Sequence, residues 1–301
     1  MKIILRLISL VVVGILLPCQ AETNKPKILF FTKSSGWEHD VISWKKGQPS
    51  FAEKQLLSLA EIHHWEMHFS KDGSLFNLKY LNQFDVLMFY TTGDLTQAGT
   101  DKHPPMTPAG KQAIFDFVKA GKGFVGIHCT SDTFHSDDDK PGNPERYRNQ
   151  GDKVDPFIHF LGGEFIHHGD QQNALNRVID SQFPGFEKLP ASFTLFEEWY
   201  SLKNFNPNIH ILTVIEPKEM KGEMYHRPPY PTSWARREGK GRVWYTSLGH
   251  REDIWTNPMF QQMLVGGTRF ALGELPGDTT PNLSTVTPEA HLNPPFPGTK
   301  K

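Results

Sequence analysis

Short apolar segments alternate with segments of helical periodicity through the first half of the chain. Residues 48–63 carry apolar side chains at helical spacing, and residues 107–120 predict a second helix that begins with Thr107 and Pro108. The apolar runs that predict strands are residues 27–32, 65–69, 84–90 and 124–128. Such alternation is typical of an α/β fold in which parallel strands are covered by helices on both faces.

The second half of the chain is less regular but contains the same kinds of segment. Helices are predicted at residues 155–161 and 258–272. Further strands are predicted at residues 174–179, 193–197, 209–215 and 242–247. From residue 276 onward the chain is rich in Pro, Thr and Asn without any period. We therefore expect one α/β domain over residues 22–275, followed by a loosely ordered tail at residues 276–301.

The first 21 residues have the pattern of an export signal. Lys2 and Arg6 precede an apolar run that is shorter than the roughly 20 residues needed to span a bilayer, and Ala21 ends a small-residue cleavage pattern. Cys19 would suit a lipid anchor, but Pro18 before it fits a lipobox poorly. We expect cleavage after Ala21 and an exported protein, periplasmic or extracellular, without a membrane anchor.

The net charge and the histidine content narrow the range of candidate functions. The 301 residues include 32 Lys and Arg against 33 Asp and Glu, a net charge of -1. A dedicated nucleic-acid binder carries a basic excess, so no nucleic-acid partner is expected. The 14 histidines point instead to chemistry, because imidazole both transfers protons near neutral pH and binds metals.

Polar residues follow four of the predicted strands. Open parallel sheets bind ligands at the carboxyl ends of their strands, so these residues are expected to share one edge. His39, His128 and His250 are among them. The four segments are residues 34–40, 91–94, 128–132 and 249–253.

Several short motifs occur in a fixed order along the chain. They are GWEH at 36–39, GFVGIH at 123–128, GGEF at 162–165 with His167 and His168, EEWY at 197–200, and PTSW at 231–234 followed by GKGRV at 239–243 and LGH at 248–250. Together they resemble the ThuA-like (trehalose utilisation) family, over about residues 27 to 272. The resemblance implies the fold of class I glutamine amidotransferases, a flavodoxin-like three-layer sandwich with a mostly parallel central sheet. It also implies a role in carbohydrate catabolism, on 3-keto-glycosides or related sugars made by a partner sugar 3-dehydrogenase.

One departure from the amidotransferases changes the expected chemistry. Their nucleophile elbow reads Gly-x-Cys-x-Gly, whereas here His128 holds the elbow position and Cys129 lies one residue later, turned to the other face. We therefore expect no glutamine amidotransferase activity. Their later His-x-Glu segment has a counterpart in His250 and Glu252, so His128, His250 and Glu252 are the catalytic candidates.

Two kinds of chemistry remain open for a hydrolase or lyase acting on keto-sugars. The histidines can act as acid and base, since removal of a proton next to a ketone lets a 3-keto sugar eliminate its aglycone. Alternatively, His39, His128 and His250 bind a divalent metal, the one cofactor candidate, which polarises the keto oxygen. The chain contains neither an HxH nor an HExxH motif.

Aromatic and polar side chains near the same edge are candidates for binding a sugar. Aromatic rings stack on pyranose faces, and carboxylates accept hydrogen bonds from hydroxyl groups. The candidates are Trp37, His39, Asp132, His168, Glu198, Tyr200 and Arg236. A non-catalytic carbohydrate-binding accessory module that uses the same cleft is the alternative function.

Overall fold

A computed structural model describes residues 25–137 and 139–297. The predicted export signal lies outside these residues. Within the described ranges, no helix is long and apolar enough to cross a membrane.

The first half of the chain forms the parallel part of a mixed sheet, as the alternation predicts. Its strands are β1 (Lys27–Phe31), β2 (Glu66–Ser70), β3 (Val86–Phe89) and β4 (Gly123–Ile127). β1 pairs in parallel with β2 and β3, and β3 pairs in parallel with β4. A strand from much later in the chain, β11 (Gly241–Thr246), pairs with β4, also in parallel.

Helices cover the sheet and begin where the sequence places their caps. α1 (Phe51–His63) starts with a capping box between Ser50 and Glu53, and α3 (Pro108–Lys119) starts at Thr107, whose hydroxyl accepts from the Gly110 N–H. α6 (Pro258–Leu272) packs on β4 and β11. The other α-helices of the described residues are α2 (Leu78–Leu81), α4 (Pro156–Leu161), α5 (Glu252–Trp255) and α7 (Leu283–Val286).

The second half of the chain extends the sheet with antiparallel strands, which the alternation does not predict. Over the described residues the sheet has nine strands in the order β2-β1-β3-β4-β11-β10-β9-β6-β7, and a separate pair joins β5 to β8. The additional strands are β5 (Glu164–His168), β6 (Gln172–Val178), β7 (Ser192–Glu197), β8 (Tyr200–Lys203), β9 (His210–Glu216) and β10 (Tyr230–Glu238). The sequence misses β5, β8 and β10. β10 contains a proline and charged residues, which interrupt the apolar pattern that would predict a strand. Polar side chains in it are paired with other groups inside the fold.

The C-terminal segment lies against the domain rather than away from it. The Asn282 side chain accepts a hydrogen bond from the Ile211 N–H (2.7 Å), and the Arg227 guanidinium donates to the Ala290 carbonyl (2.8 Å). Ala290 itself is buried. The described part of this segment, up to residue 297, therefore departs from the expected loose attachment.

Because β1, β3, β4 and β11 are parallel, their carboxyl ends meet at one edge of the sheet. The polar residues that follow these strands are thereby brought together. The last residue of β7, Glu197, and the following Glu198, in the connection to β8, lie in the same region.

Candidate functional site

His128 lies directly after β4, at the carboxyl end of that strand. Its backbone is left-handed, with φ of 45°, and the Tyr245 hydroxyl donates to its carbonyl (2.7 Å). Nδ1 of the ring lies 2.8 Å from the Ser247 carbonyl, which can only accept, so Nδ1 carries a proton. In the neutral ring Nε2 therefore offers a lone pair, and this atom is buried without a hydrogen-bond partner among the described residues.

Two further histidines surround His128. The ring centroids of His39 and His250 lie 5.2 Å and 5.3 Å from that of His128, and 5.2 Å from each other. Burial, together with the nearby imidazoles of His128 and His250, lowers the pKa of His39 well below its usual value. His39 is therefore neutral at physiological pH, the form in which an imidazole binds a metal.

Glu198 supplies a carboxylate at the centre of the histidines. Its Oε2 lies 3.0 Å from Nδ1 of His250 and 3.5 Å from Nε2 of His128. Burial opposes ionisation, but the neighbouring imidazoles of His128 and His250 lower the pKa of Glu198 overall. The pKa of His250 is raised, because its interaction with Glu198 outweighs its burial.

These four side chains form what we call the histidine cluster: His39, His128, Glu198 and His250. One ligand atom from each lies within 4.8 Å of the others. Three imidazole nitrogens and one carboxylate oxygen are a donor set that suits divalent zinc or a similar first-row metal. The unpartnered Nε2 of His128 and Nδ1 of His39 fit this role, since ligand nitrogens must keep a free lone pair.

Glu197, next to Glu198, fixes the backbone on both sides of the cluster. Its Oε1 accepts from the Glu198 N–H (2.7 Å), and its Oε2 accepts from the Gly249 and His250 N–H groups (3.0 and 3.2 Å). The side chain is fully buried, which raises its pKa, while these N–H groups favour the ionised form. Its carboxylate therefore ties the β7–β8 connection to the segment after β11.

The histidine cluster opens into a cavity of about 930 Å³. The predicted substrate-binding residues Trp37, Asp132, His168 and Tyr200 line it together with His39 and Glu198. Trp37 is 75% exposed, so its indole is available at the cavity wall. The Tyr200 ring lies between those of His128 and His168, with centroid distances of 4.3 and 5.8 Å.

Two of the predicted site residues lie elsewhere. Glu252 is exposed at the first position of α5, and the carboxylate that contacts His250 is instead that of Glu198. Arg236 is buried in β10, where it donates to the Phe160 carbonyl and the Glu238 carboxylate. The His-x-Glu spacing suggested Glu252, but α5 begins there and turns the side chain outward. Arg236 was expected near the cavity as a polar side chain, but it pairs locally within β10 and with the Phe160 carbonyl.

Cys129 is completely buried beside the elbow. Burial raises the pKa of its thiol well above the usual value. A thiol of this kind is a poor nucleophile, because the thiolate is the reactive form. The geometry thus agrees with an elbow that presents an imidazole rather than a sulfur.

A second group of charges, of which the sequence predicts only Asp132 as a site residue, lines another part of the cavity. Nε2 of His135 lies 2.6 Å from Asp132, and the buried Asp139 contacts both Lys203 (2.6 Å) and Arg146 (3.0 Å). We call this group the charged cluster. Its members are Asp132, His135, Asp139, Arg146, Glu164 and Lys203. No local sequence signal brings these residues together, since they come from four separate segments.

His135 is protonated within the charged cluster. Burial disfavours the charged ring, but the carboxylates of Asp132, Asp139 and Glu164 raise its pKa well above the usual value. Three cations, His135, Arg146 and Lys203, therefore balance three carboxylates. An added metal ion would leave this group with excess positive charge, so the cluster is better described as a closed ion-pair network.

Comparison with known proteins identifies the same family that the sequence motifs resemble. The profile of the ThuA family, described as trehalose utilisation, matches residues 27–271. A search of curated proteins found no match.

Solved structures share the fold at low sequence identity. A ThuA-like protein from Bacteroides uniformis ATCC 8492 is 21% identical, covers 83% of this chain and 94% of its own, and has a TM-score of 0.59. A ThuA-like protein from Parabacteroides merdae ATCC 43184 is 16% identical, with 90% and 97% coverage and a TM-score of 0.52. The protein STM1381 from Salmonella typhimurium LT2 is 15% identical, with 82% and 98% coverage and a TM-score of 0.51. Identities this low establish a common fold and nothing finer.

Proposed function

The chain belongs to the ThuA (trehalose utilisation) family, and from this premise we propose that it is a metal-assisted enzyme that cleaves 3-keto-glycosides or related keto-sugars. The observation that carries the proposal is the histidine cluster, in which three imidazoles and one carboxylate converge within 4.8 Å at the edge of the sheet. The cluster opens into a cavity whose size, about 930 Å³, is in the range of small-molecule sites.

His39, His128, Glu198 and His250 would hold the metal. A divalent metal bound there would polarise the keto oxygen of the sugar and favour the enolate. Ser247 fixes the His128 ring through Nδ1, so that Nε2 keeps its direction. Such support of a ligand through its second nitrogen is typical of metal-binding histidines.

His168 is the candidate for the general base. Its Nδ1 lies near two acceptors, the Gly169 carbonyl (3.0 Å) and Oε1 of Glu198 (3.4 Å), so Nδ1 carries the proton. Nε2 of the neutral ring is then free to accept a proton, and the side chain lines the cavity with 39% of its surface exposed. This position and this tautomer support the assignment of His168 as the base.

The proposed step is an elimination. His168 removes the proton from the carbon between the keto group and the anomeric carbon, and that electron pair forms a carbon–carbon double bond. The bond from the anomeric carbon to the aglycone oxygen breaks, and this oxygen takes a proton from a water molecule to leave as an alcohol. The hydroxide that remains takes the proton held by His168, which returns to its neutral form. No oxidant is consumed, because the keto group is already present in the substrate.

The test combines metal analysis with turnover. We expect the purified protein to contain a divalent metal in a ratio near one, to cleave a 3-keto-glycoside, and to lose activity with a chelator. His128→Ala is expected to lose both metal and turnover while Glu252→Gln, a change at an exposed carboxylate outside the cluster, keeps both. Sugar binding without turnover by the wild-type protein would favour the alternative, a non-catalytic carbohydrate-binding module.

The location and supply of the substrate are part of the same proposal. The charged, apolar and small residues of positions 1–21 support removal of an export signal after Ala21. A sugar 3-dehydrogenase is the class of enzyme that would supply the keto group. The mass of the mature N-terminus in periplasmic or secreted material tests export, and a chain that still begins at Met1 contradicts it.

A further inference from the structure

The cavity next to the histidine cluster has a second polar part. Phe165 contacts residues of both parts: its ring centroid lies 4.1 Å from that of Tyr200, and the Arg146 guanidinium lies 5.3 Å from the Phe165 ring. Asp132, His135 and Arg146 line the cavity there. A ligand that reaches the histidine cluster therefore has room to extend past Phe165 to a second set of polar groups.

The charged cluster holds these polar groups rigidly. Asp139 and Lys203, both with fully buried side chains, form a 2.6 Å ion pair beneath them, and Asp139 also contacts Arg146 (3.0 Å). Asp132 keeps 20% of its side chain exposed and Arg146 keeps 10%. A carboxylate and a guanidinium fixed side by side provide an acceptor and several donors, which suit the neighbouring hydroxyl groups of a sugar ring.

An aromatic pair completes this part of the cavity. The rings of Tyr147 and Phe296 meet edge to face with centroids 5.4 Å apart, and Tyr147 and Phe296 both line the cavity. The segment that carries Phe296 is anchored where the Asn149 side chain donates to the His291 carbonyl (2.7 Å). Aromatic side chains combine a broad apolar surface with polarisable faces, which suits the C–H face of a pyranose.

We propose that Asp132, His135, Arg146, Tyr147 and Phe296 form a distal subsite that binds the ring of a sugar aglycone, so that the substrate is a two-ring keto-glycoside. This inference rests on the proposed function, and it adds the residues that recognise the aglycone. The C-terminal segment, which lies beyond the residues that match the family profile, then determines specificity by supplying Phe296.

The test compares two substrates that differ in the aglycone alone. The 3-keto forms of trehalose and of methyl α-glucoside both present an α-linked keto-glucosyl ring, followed by a second sugar ring in one and a methyl group in the other. Phe296→Ala is expected to lower kcat/KM for the keto-disaccharide about 3- to 10-fold, mostly through KM, as the loss of one aromatic contact predicts. The methyl glycoside is expected to be unaffected.

Leu292→Ala is the matched control, since Leu292 belongs to the same C-terminal segment, is 46% exposed and does not line the cavity. It is expected to leave both substrates unchanged. Equal losses on both substrates with Phe296→Ala, or no loss on either, would overturn the distal subsite.

Binding of unoxidised trehalose, measured by calorimetry, separates this inference from the proposed function. If the wild-type protein cleaves neither keto-sugar but binds trehalose, and Phe296→Ala weakens that binding while Leu292→Ala does not, the subsite stands and the proposed reaction fails. If the wild-type protein neither binds trehalose nor cleaves its keto form, the subsite is wrong.

Discussion

Replacing Glu197 by Gln tests the support of the histidine cluster without touching a ligand atom. Each carboxylate oxygen of Glu197 accepts from backbone N–H groups, one from Glu198 and two from Gly249 and His250. Glutamine keeps one acceptor oxygen and replaces the other with an NH₂ donor. Whichever way the amide turns, at least one buried N–H group then faces a donor instead of an acceptor.

The magnitude follows from these hydrogen bonds. A buried polar group left without its partner costs about 1–3 kcal/mol, and hydrogen bonds to a charged group contribute about 1.5–3 kcal/mol. We expect Glu197→Gln to lower the free energy of unfolding by about 2–4 kcal/mol. The backbone of Glu198 and His250 loses its common anchor, and loss of such support weakens metal binding by about 10- to 100-fold.

Two measurements check this prediction. Thermal unfolding of the metal-free protein gives the stability change, and calorimetric titration with Zn²⁺ gives the affinity. Glu252→Gln makes the same chemical change at an exposed carboxylate outside the cluster and is expected to leave both quantities unchanged. A Glu197→Gln protein that unfolds at the wild-type temperature and binds Zn²⁺ with wild-type affinity would refute the assigned role.

Three further predictions concern other parts of the site. His128→Ala and His250→Ala are each expected to lower turnover by about 10²–10⁴ and the double variant by little more, since residues that act as a unit are non-additive; losses that multiply would contradict a common site. Cys129→Ala is expected to keep most of the activity because its thiol is buried, and a thousandfold or so loss of turnover would show that the thiol takes part. The raised pKa of His135 predicts a contribution to stability that is complete below about pH 6.5 and is lost as the pH rises through the folded-state pKa. Melting temperatures measured against pH are expected to show this alkaline loss in the wild-type protein and a smaller one in His135→Gln; identical profiles would contradict the assigned protonation.

The meeting of three histidines was predictable because the rule behind it is topological. His39, His128 and His250 each follow a strand of the parallel group, and parallel strands end at one edge. The apolar runs reveal those strands directly. The sequence thus predicts the position of the site from strand order, without any metal-binding motif.

The positions of the carboxylates in the site do not follow from strand order. Glu198 was expected to bind substrate, yet it lies among the histidines, because the connection between β7 and β8 returns it to the sheet edge. Glu252 has a suitable spacing from His250, but the start of α5 turns it to solvent. Hydrophobic periodicity identifies strands, whereas it does not show where a connection between two of them passes.

The antiparallel pairing in the sheet and the charged cluster are not predicted from the sequence, for the same reason. β10 is mostly buried although its sequence contains Arg236 and Glu238, because Arg236 donates to both the Glu238 carboxylate and the Phe160 carbonyl. Lys203 and Asp139 also appear as ordinary surface charges in the sequence, and they become a buried pair through contacts distant in the chain. Such compensation depends on tertiary structure and leaves no local pattern.

The left-handed backbone at His128 has a consequence for engineering. A residue with a Cβ atom in this conformation costs about 1–2 kcal/mol relative to its relaxed state, and glycine avoids that cost. His128→Gly is therefore expected to unfold at a higher temperature than His128→Ala, although both remove the imidazole. A screen for heat resistance alone at residue 128 would therefore rank glycine above alanine although neither retains the imidazole, so such a screen must keep an activity readout.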